Sequence, residues 1–243
     1  MDNKTNEKEN KRIVKLNDEE GVKEILTGSV LQLWEVVNNL TKIRPAKRDR
    51  YRVTVFGSAR AKPGSFVYEE VKRFARLLAM MNCDVITGGG PGLMQAANEG
   101  ASEANAATPE GSVGIRVTLP FEQSVNPYVA TSYEHETFFT RLHHFILVSD
   151  AFVVTPGGIG SVLEAMMVWQ LLQVNHIDRS IPLIFAGNMW PGLVEWARKE
   201  MLSFEPPLAN PEDLNLPICV DTAEEAAELI RKYRERWQTN KDL

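Results

Sequence analysis

Two glycine-rich turns constrain the fold of this 243-residue chain more than any other feature. The first turn, residues 87–92, follows the apolar run 83–86, and a pattern of helical period follows it. The second turn, residues 155–160, stands in the same way between the apolar run 151–154 and a second helical pattern. Each turn therefore predicts a strand, a tight reversal and the start of a helix. Two such units can lie side by side at the carboxyl edge of one parallel sheet.

Glycine turns that open helices are typical phosphate sites. Without Cβ atoms an anion can approach the backbone, and the free N–H groups and dipole of the helix N-terminus attract it. We therefore predict phosphate or substrate binding by residues of the two turns, the end of the first strand and the start of the first turn's helix. They are Gly57, Ser58, Gly88, Gly89, Gly90, Gly92, Met94, Gly157, Gly158, Ile159, Gly160 and Ser161.

The rest of the chain extends this alternation of strands and helices. Predicted strands cover residues 53–56, 83–86, 113–117, 151–154, 182–185 and 218–220, and helical patterns separate them. The fold class is therefore α/β, a Rossmann-like, doubly wound and mainly parallel sheet with helices on both faces. Upstream, residues 18–40 have helical spacing and follow a polar, lysine-rich segment. We predict a polar tail and helical extension over 1–50 and a Rossmann-like nucleotide-binding domain over 51–243.

Composition excludes several classes of partner. The net charge of -5 gives no electrostatic reason to expect nucleic acid or an anionic membrane. The charged N-terminus does not resemble a signal peptide, and no apolar run reaches membrane-spanning length. We expect a cytoplasmic protein with no nucleic-acid or membrane partner. Cys83 and Cys219 each lie in a predicted buried strand, so we expect both to be reduced core thiols.

Motif spacing also excludes several chemistries. Neither turn carries the P-loop lysine, and neither has the third glycine of the dinucleotide fingerprint. No cysteine or histidine spacing suggests a metal, since the adjacent His143 and His144 would point in different directions on a helix. No lysine occurs between Lys72 and Lys199, which disfavours a Schiff-base pyridoxal phosphate enzyme. We expect no metal and no cofactor.

Several motifs together resemble one known family. Residues 88–94 read GGGPGLM and precede AANEGA at 96–101, while residues 156–164 read PGGIGSVLE. With further matches at 119–128, 138–141, 149–152 and 190–196, they resemble the LOG family of cytokinin riboside 5′-monophosphate phosphoribohydrolases. Members of this family are often labelled lysine decarboxylases. Ser161 stands where the family usually has threonine, and Leu142 stands where it commonly has lysine.

The resemblance implies a reaction and two catalytic residues. LOG enzymes split the N-glycosidic bond of a nucleoside 5′-monophosphate, such as AMP or an N6-modified AMP, to give a free base and ribose 5-phosphate. Arg141 and Glu164 match the family's catalytic pair. Glu164 lies four residues beyond Gly160 and so shares its helix face, although an early glutamate would also complement the helix dipole. The resemblance and the apolar surface of this helix predict a homodimer.

Two further interpretations stay open at this point. One is a non-catalytic carrier that binds a nucleotide or the molybdenum cofactor on the same fold, since a fold does not determine a function. The presence of both Arg141 and Glu164 favours the enzyme, because a carrier needs the phosphate cradle and not the pair. The other is a regulator that senses a phosphorylated nucleotide. The N-terminal helix would suit such a role, but it equally suits a structural cap.

Overall fold

The computed structural model describes residues 18–40, 49–104, 111–118 and 125–241. The chain divides into two compact units, Met1–Pro45 and Ala46–Leu243. The first contains helix α1, Glu19–Leu40, where the sequence predicts a helix. Asp18 caps this helix, because its Oδ1 accepts a hydrogen bond from the N–H of Gly21 at 3.0 Å.

The second unit is built on one seven-stranded sheet in which each pair of neighbouring strands is parallel. The spatial order is β4-β3-β2-β1-β5-β6-β7. The strands are β1 Tyr51–Phe56, β2 Cys83–Thr87, β3 Ser112–Val117, β4 Thr131–His135, β5 Ala151–Val154, β6 Leu183–Ala186 and β7 Pro217–Val220. This arrangement confirms the predicted fold class.

Strand β4 is missing from the sequence prediction. Its residues read TSYEH and are exposed or half-buried, because β4 is an edge strand. The sequence therefore offers neither the apolar run nor the clean alternation by which a strand is recognised.

Helices cover both faces of the sheet. One apolar core joins the sheet to α2, α3 and α7, and a second joins it to α4, α5 and α6. The helices are α2 Phe66–Met80, α3 Leu93–Ala104, α4 Phe138–Val148, α5 Ile159–Gln173, α6 Pro191–Leu202 and α7 Ala223–Lys241. None of the described helices combines the length and apolar character needed to cross a membrane.

The strand order predicts a crevice beside the central strand β1. The chain runs outward from β1 through β2 and β3 to β4, and then returns to β5 on the other side of β1. The helix that follows β1 covers one face, and the helix that follows β5 covers the other. A crevice opens at the carboxyl ends of strands where helices diverge in this way. Both glycine turns begin at this edge, at the ends of β2 and β5.

The two cysteines have different environments. Cys83 in β2 is buried, as predicted. The prediction for Cys219 is wrong, because this residue lies in β7 with an exposed side chain. Strand β7 ends the sheet, so its side chains after Pro217 are only partly covered.

Candidate functional site

Arg141 and Glu164 lie together at the carboxyl edge of the sheet. Arg141 stands in the first turn of α4, and Glu164 stands in the second turn of α5. Arg141 Nη1 is 3.6 Å from Glu164 Oε1, and each residue is only 9% exposed. The fold thus brings together, from two helices, the two residues that the sequence resemblance pairs.

Contacts with β3, with α4 itself and with the turn after β2 orient the Arg141 guanidinium. Its Nε donates a hydrogen bond to the carbonyl of Ile115 at 2.9 Å, and the group lies 5.3 Å from the ring centroid of Phe145. A Cβ atom at Gly88 would collide with Arg141 Nη2 and would lie 2.6 Å from Met94 Sδ. The missing side chain of Gly88 therefore makes room for the arginine and the methionine.

Burial dominates the electrostatics of Glu164. It raises the pKa of this carboxyl to about 7, and the positive charge of Arg141 offsets only part of the effect. At 3.6 Å the pair is longer than a direct hydrogen bond, so the arginine compensates the buried charge incompletely. A carboxyl that titrates near neutral pH in a crevice is typical of catalytic groups.

The first glycine turn is held closed by contacts within the protein. The N–H of Gly89 donates to Thr87 Oγ1 at 2.9 Å, and the N–H of Leu93 donates to the carbonyl of Ser58 at 2.8 Å. Gly92 has a φ of +70° and lies so close to the 58–59 backbone that a Cβ atom would overlap it. This turn uses part of its backbone hydrogen-bonding capacity to join β2 to the segment after β1.

Two buried asparagines brace the same turn. Asn126 donates from its backbone N–H to the carbonyl of Gly89 at 2.9 Å and from Nδ2 to the carbonyl of Gly90 at 3.0 Å. Asn98 Oδ1 accepts hydrogen bonds from Asn126 Nδ2 and from Thr87. Asn126 belongs to the matching segment 119–128, but nothing in the sequence alone places it against the glycines. Residues 119–124 of that segment lie outside the described residues.

The second glycine turn is open at the N-terminus of α5. Ideal Cβ atoms built at Gly158 and Gly160 would meet no heavy atom within 4 Å. Gly158 is the N-cap residue and, as a glycine, has no side chain that could cap the helix. The next residue, Ile159, is 87% exposed. Ser161 is buried and packs against Gly157. Because the first N–H groups of a helix lack intrahelical acceptors, this turn has the better geometry for an anion.

The two adjacent histidines of α4 both have lowered pKa values. His144 Nδ1 lies 2.9 Å from Nε2 of His135 on strand β4, and burial lowers the pKa of His144 to about 4. Burial also lowers the pKa of His143. Within the described parts of the chain, no group of three or more His, Cys, Asp or Glu side chains could hold a metal ion.

Comparisons with known proteins agree with this architecture. A family model described as "Possible lysine decarboxylase" matches residues 94–230, which is more than half of the chain. A search of curated proteins found no match.

Among solved structures, the molybdenum cofactor binding protein of Rippkaea orientalis is 18% identical, with a TM-score of 0.56 over 76% of this chain and 98% of that one. The molybdenum cofactor carrier protein MCP of Chlamydomonas reinhardtii is 14% identical, with a TM-score of 0.55 over 76% of this chain and 99% of that one. Likeness at this level of identity shows a shared fold.

The environment of Glu164 predicts a pH-dependent effect of its substitution on stability. Its folded pKa lies above the ordinary value of 4.5, so the protein loses stability as pH rises from about 4.5 to about 7. Glu164→Gln cannot ionise and avoids this loss. The unfolding free energy of the variant minus that of wild type should therefore be about 2 kcal/mol larger at pH 8 than at pH 5. Urea unfolding at both pH values measures the gain.

Glu69→Gln provides the control, because Glu69 is an exposed glutamate on α2. Glu69→Gln should change the unfolding free energy by a similar amount at pH 5 and at pH 8. An equal effect of Glu164→Gln at pH 5 and pH 8 would show that the Glu164 carboxyl titrates normally.

Proposed function

Because the chain belongs to the LOG family, whose family model is described as "Possible lysine decarboxylase", we propose that it hydrolyses the N-glycosidic bond of a nucleoside 5′-monophosphate. The products are the free base and ribose 5-phosphate. The observation that carries this proposal is the buried Arg141–Glu164 pair beside the open N-terminus of α5. AMP or an N6-modified AMP is the substrate that the family suggests, and the composition suggests action in the cytoplasm.

The reaction is favoured by a negatively charged group beside the sugar. The bond between C1′ and the base nitrogen breaks, the hydroxyl of a water molecule joins C1′, and the remaining proton of that water goes to the base. Positive charge develops on the ribose in an oxocarbenium-like transition state. Ionised Glu164 would face that charge and accept hydrogen bonds from ribose hydroxyls. In a buried site such a charge acts more strongly than it would in water.

The helix geometry suits a ribose phosphate. Gly160 and Glu164 are four residues apart on α5, so about 6 Å of helix axis separates the open turn from the carboxylate. The 5′-phosphate would bind the N–H groups of the second turn, where Gly158 and Gly160 leave the backbone uncovered. The sugar would then extend toward Glu164. This separation keeps the anionic phosphate away from the carboxylate that would otherwise repel it.

Arg141 would position both the carboxylate and the substrate. Its Nε is committed to the carbonyl of Ile115, so the rest of the guanidinium is directed toward Glu164 and Gly88. From there it would keep Glu164 oriented and partly ionised, and would hold substrate opposite that residue. A mechanism that uses a catalytic lysine does not suit this site, because no lysine occurs between Lys72 and Lys199.

A carrier is the second candidate function, and the similar solved structures favour it. Two of them are named as a molybdenum cofactor binding protein and a molybdenum cofactor carrier protein. The open second turn could serve such a ligand equally well, because both ligand classes contain phosphate. The buried pair of Arg141 and Glu164 favours the hydrolase, since a carrier has no need for a carboxyl that titrates near neutral pH.

Substitution of Glu164 tests the catalytic proposal. Glu164→Gln keeps the shape of the side chain and removes its charge, so kcat for base release from AMP should fall about 10²–10³-fold. KM should change less, because ground-state ribose carries no positive charge. Arg141→Ala should also lower kcat. Chromatography of the released base measures the turnover of wild type, Glu164→Gln and Arg141→Ala. The control Glu69→Gln, at an exposed residue, should match the turnover of wild type.

Two outcomes would reject the hydrolase. Equal turnover by wild type and Glu164→Gln would remove the proposed role of the carboxylate. Failure of the wild type to release base from AMP or from any other nucleoside monophosphate would leave the carrier in its place.

Assembly into a homodimer forms part of the proposal. The helix that carries Glu164 exposes apolar side chains at its N-terminal end, with Leu163 52% exposed beside the more exposed Ile159. Phe138 and Phe139 at the start of α4 are exposed as well. Because α4 and α5 are joined by the Arg141–Glu164 pair, these side chains flank one site. Association with a second copy would bury them.

Light scattering should therefore give about twice the chain mass of 27.3 kDa at micromolar concentration. Leu163→Lys places a charge on the proposed contact and should shift the mass toward that of the single chain. Leu208→Lys is the matched control, because Leu208 is an exposed leucine outside α4 and α5. A wild type with the mass of one chain would contradict the dimer.

A further inference from the structure

A cavity lies on the face of the sheet that α2 and α7 cover, opposite the face of α4 and α5, which carry Arg141 and Glu164. It has a volume of about 300 Å³ and opens at the carboxyl ends of β5, β6 and β7, between helices α2 and α7. Arg141 instead bonds to β3 and lies over the residue that follows β2. Arg141 therefore lies toward β2 and β3, whereas the cavity lies toward β5, β6 and β7. We call this space the β5–β7 cavity.

Pro156 forms the wall between the two regions. It lines the β5–β7 cavity and is followed by Gly157, the first glycine of the open turn. Its carbonyl accepts the N–H of Ser58 at 3.1 Å, which holds it against the segment after β1. A Cβ atom at Gly187 would approach the Pro156 ring to 3.2 Å, so the ring is packed from the cavity side too. The cavity is thus adjacent to the proposed phosphate turn and separated from it.

The lining of the cavity selects against anions. Its walls are apolar, and its polar side chains include the carboxylates of Glu70 and Asp221. Among the described residues that line it, none is lysine, arginine or histidine. Glu70 is paired with Arg73, which lies outside the lining, so the Asp221 carboxylate is the acidic group that a ligand would meet. A phosphate would meet this carboxylate and no basic lining residue, whereas a neutral ring that donates hydrogen bonds would meet an acceptor. The apolar part of the wall consists of Phe66, Val67, Val71, Phe74, Pro156, Ala186, Met189, Ala223 and Ala226.

Two large apolar side chains of the lining are exposed to solvent. Phe66 is 83% exposed at the start of α2, and Met189 is exposed on the loop after β6. Large apolar groups exposed around a concave space mark binding sites more often than scattered ones do. A flat aromatic ring could stack against the Phe66 face and contact the Met189 thioether, which adapts to irregular shapes.

We propose that the β5–β7 cavity binds an uncharged heteroaromatic ring with an exocyclic amino group, of the size of a purine base. The amino group donates to Asp221 at the rim, and the ring lies against the apolar wall. The size, the acidic rim and the absence of basic lining residues define this class of ligand. The choice of a purine within it rests on the proposed function, because that reaction releases a free base.

Calorimetric titration with adenine tests the site. Val67→Trp fills the cavity from α2 and should weaken adenine binding about tenfold or more. Met80→Trp is the matched control, since Met80 is an exposed apolar residue at the end of the same helix and does not line the cavity. It should stay within about twofold of wild type. Purine, which lacks the amino group, should bind more weakly than adenine, and Asp221→Asn should reduce that difference.

Two results would overturn the site. One is the absence of adenine binding to wild type up to the solubility of adenine. The other is adenine binding that survives Val67→Trp and is lost in Arg141→Ala, which would place the ring at the catalytic pair.

Base release by the wild type tests the proposed function separately. Adenine binding that is sensitive to Val67→Trp in a protein that releases no base would support the cavity and reject the hydrolase. Base release without adenine binding would support the hydrolase and reject the cavity.

Discussion

The buried contact between Arg141 and Glu164 is the interaction on which the candidate site depends. Removing a carboxylate and a guanidinium from water is costly, and a pair 3.6 Å apart recovers only part of that cost. The protein compensates Arg141 through the Ile115 carbonyl and the Phe145 ring. Glu164 is left with a pKa raised to about 7, so the arrangement lowers stability at alkaline pH. Such a cost is more readily explained by chemistry at the site than by folding.

The topology explains why these two residues meet. Strand β5 returns to the centre of the sheet after β4, so the helices that follow the strands diverge at this point. Helix α4 leads into β5 and α5 leads out of it, which places Arg141 and Glu164 on neighbouring helices of one face. Two similar solved structures, named as molybdenum cofactor binding and carrier proteins, share this fold. The fold therefore supports a hydrolase or a carrier, and only the side chains at the edge distinguish them.

Much of this arrangement is predictable from the sequence. Both strand–turn–helix units follow from apolar runs, glycines and helical spacing, because these signals are local. The edge strand β4 and the exposure of Cys219 are not predictable in this way, since both depend on which strands end the sheet. The difference between the two glycine turns is also tertiary. It depends on contacts such as Leu93 with Ser58 and Arg141 with Gly88, which join residues far apart in the chain.

The pH dependence of base release tests the role of the buried carboxyl most directly. If ionised Glu164 stabilises the transition state, kcat/KM should rise with pH and level off after an ionisation of the free protein near pH 7. The residual activity of Glu164→Gln should lack that step. A wild-type kcat/KM that is flat from about pH 5.5 to 8.5 would contradict the account, and so would a Glu164→Gln variant with the same midpoint.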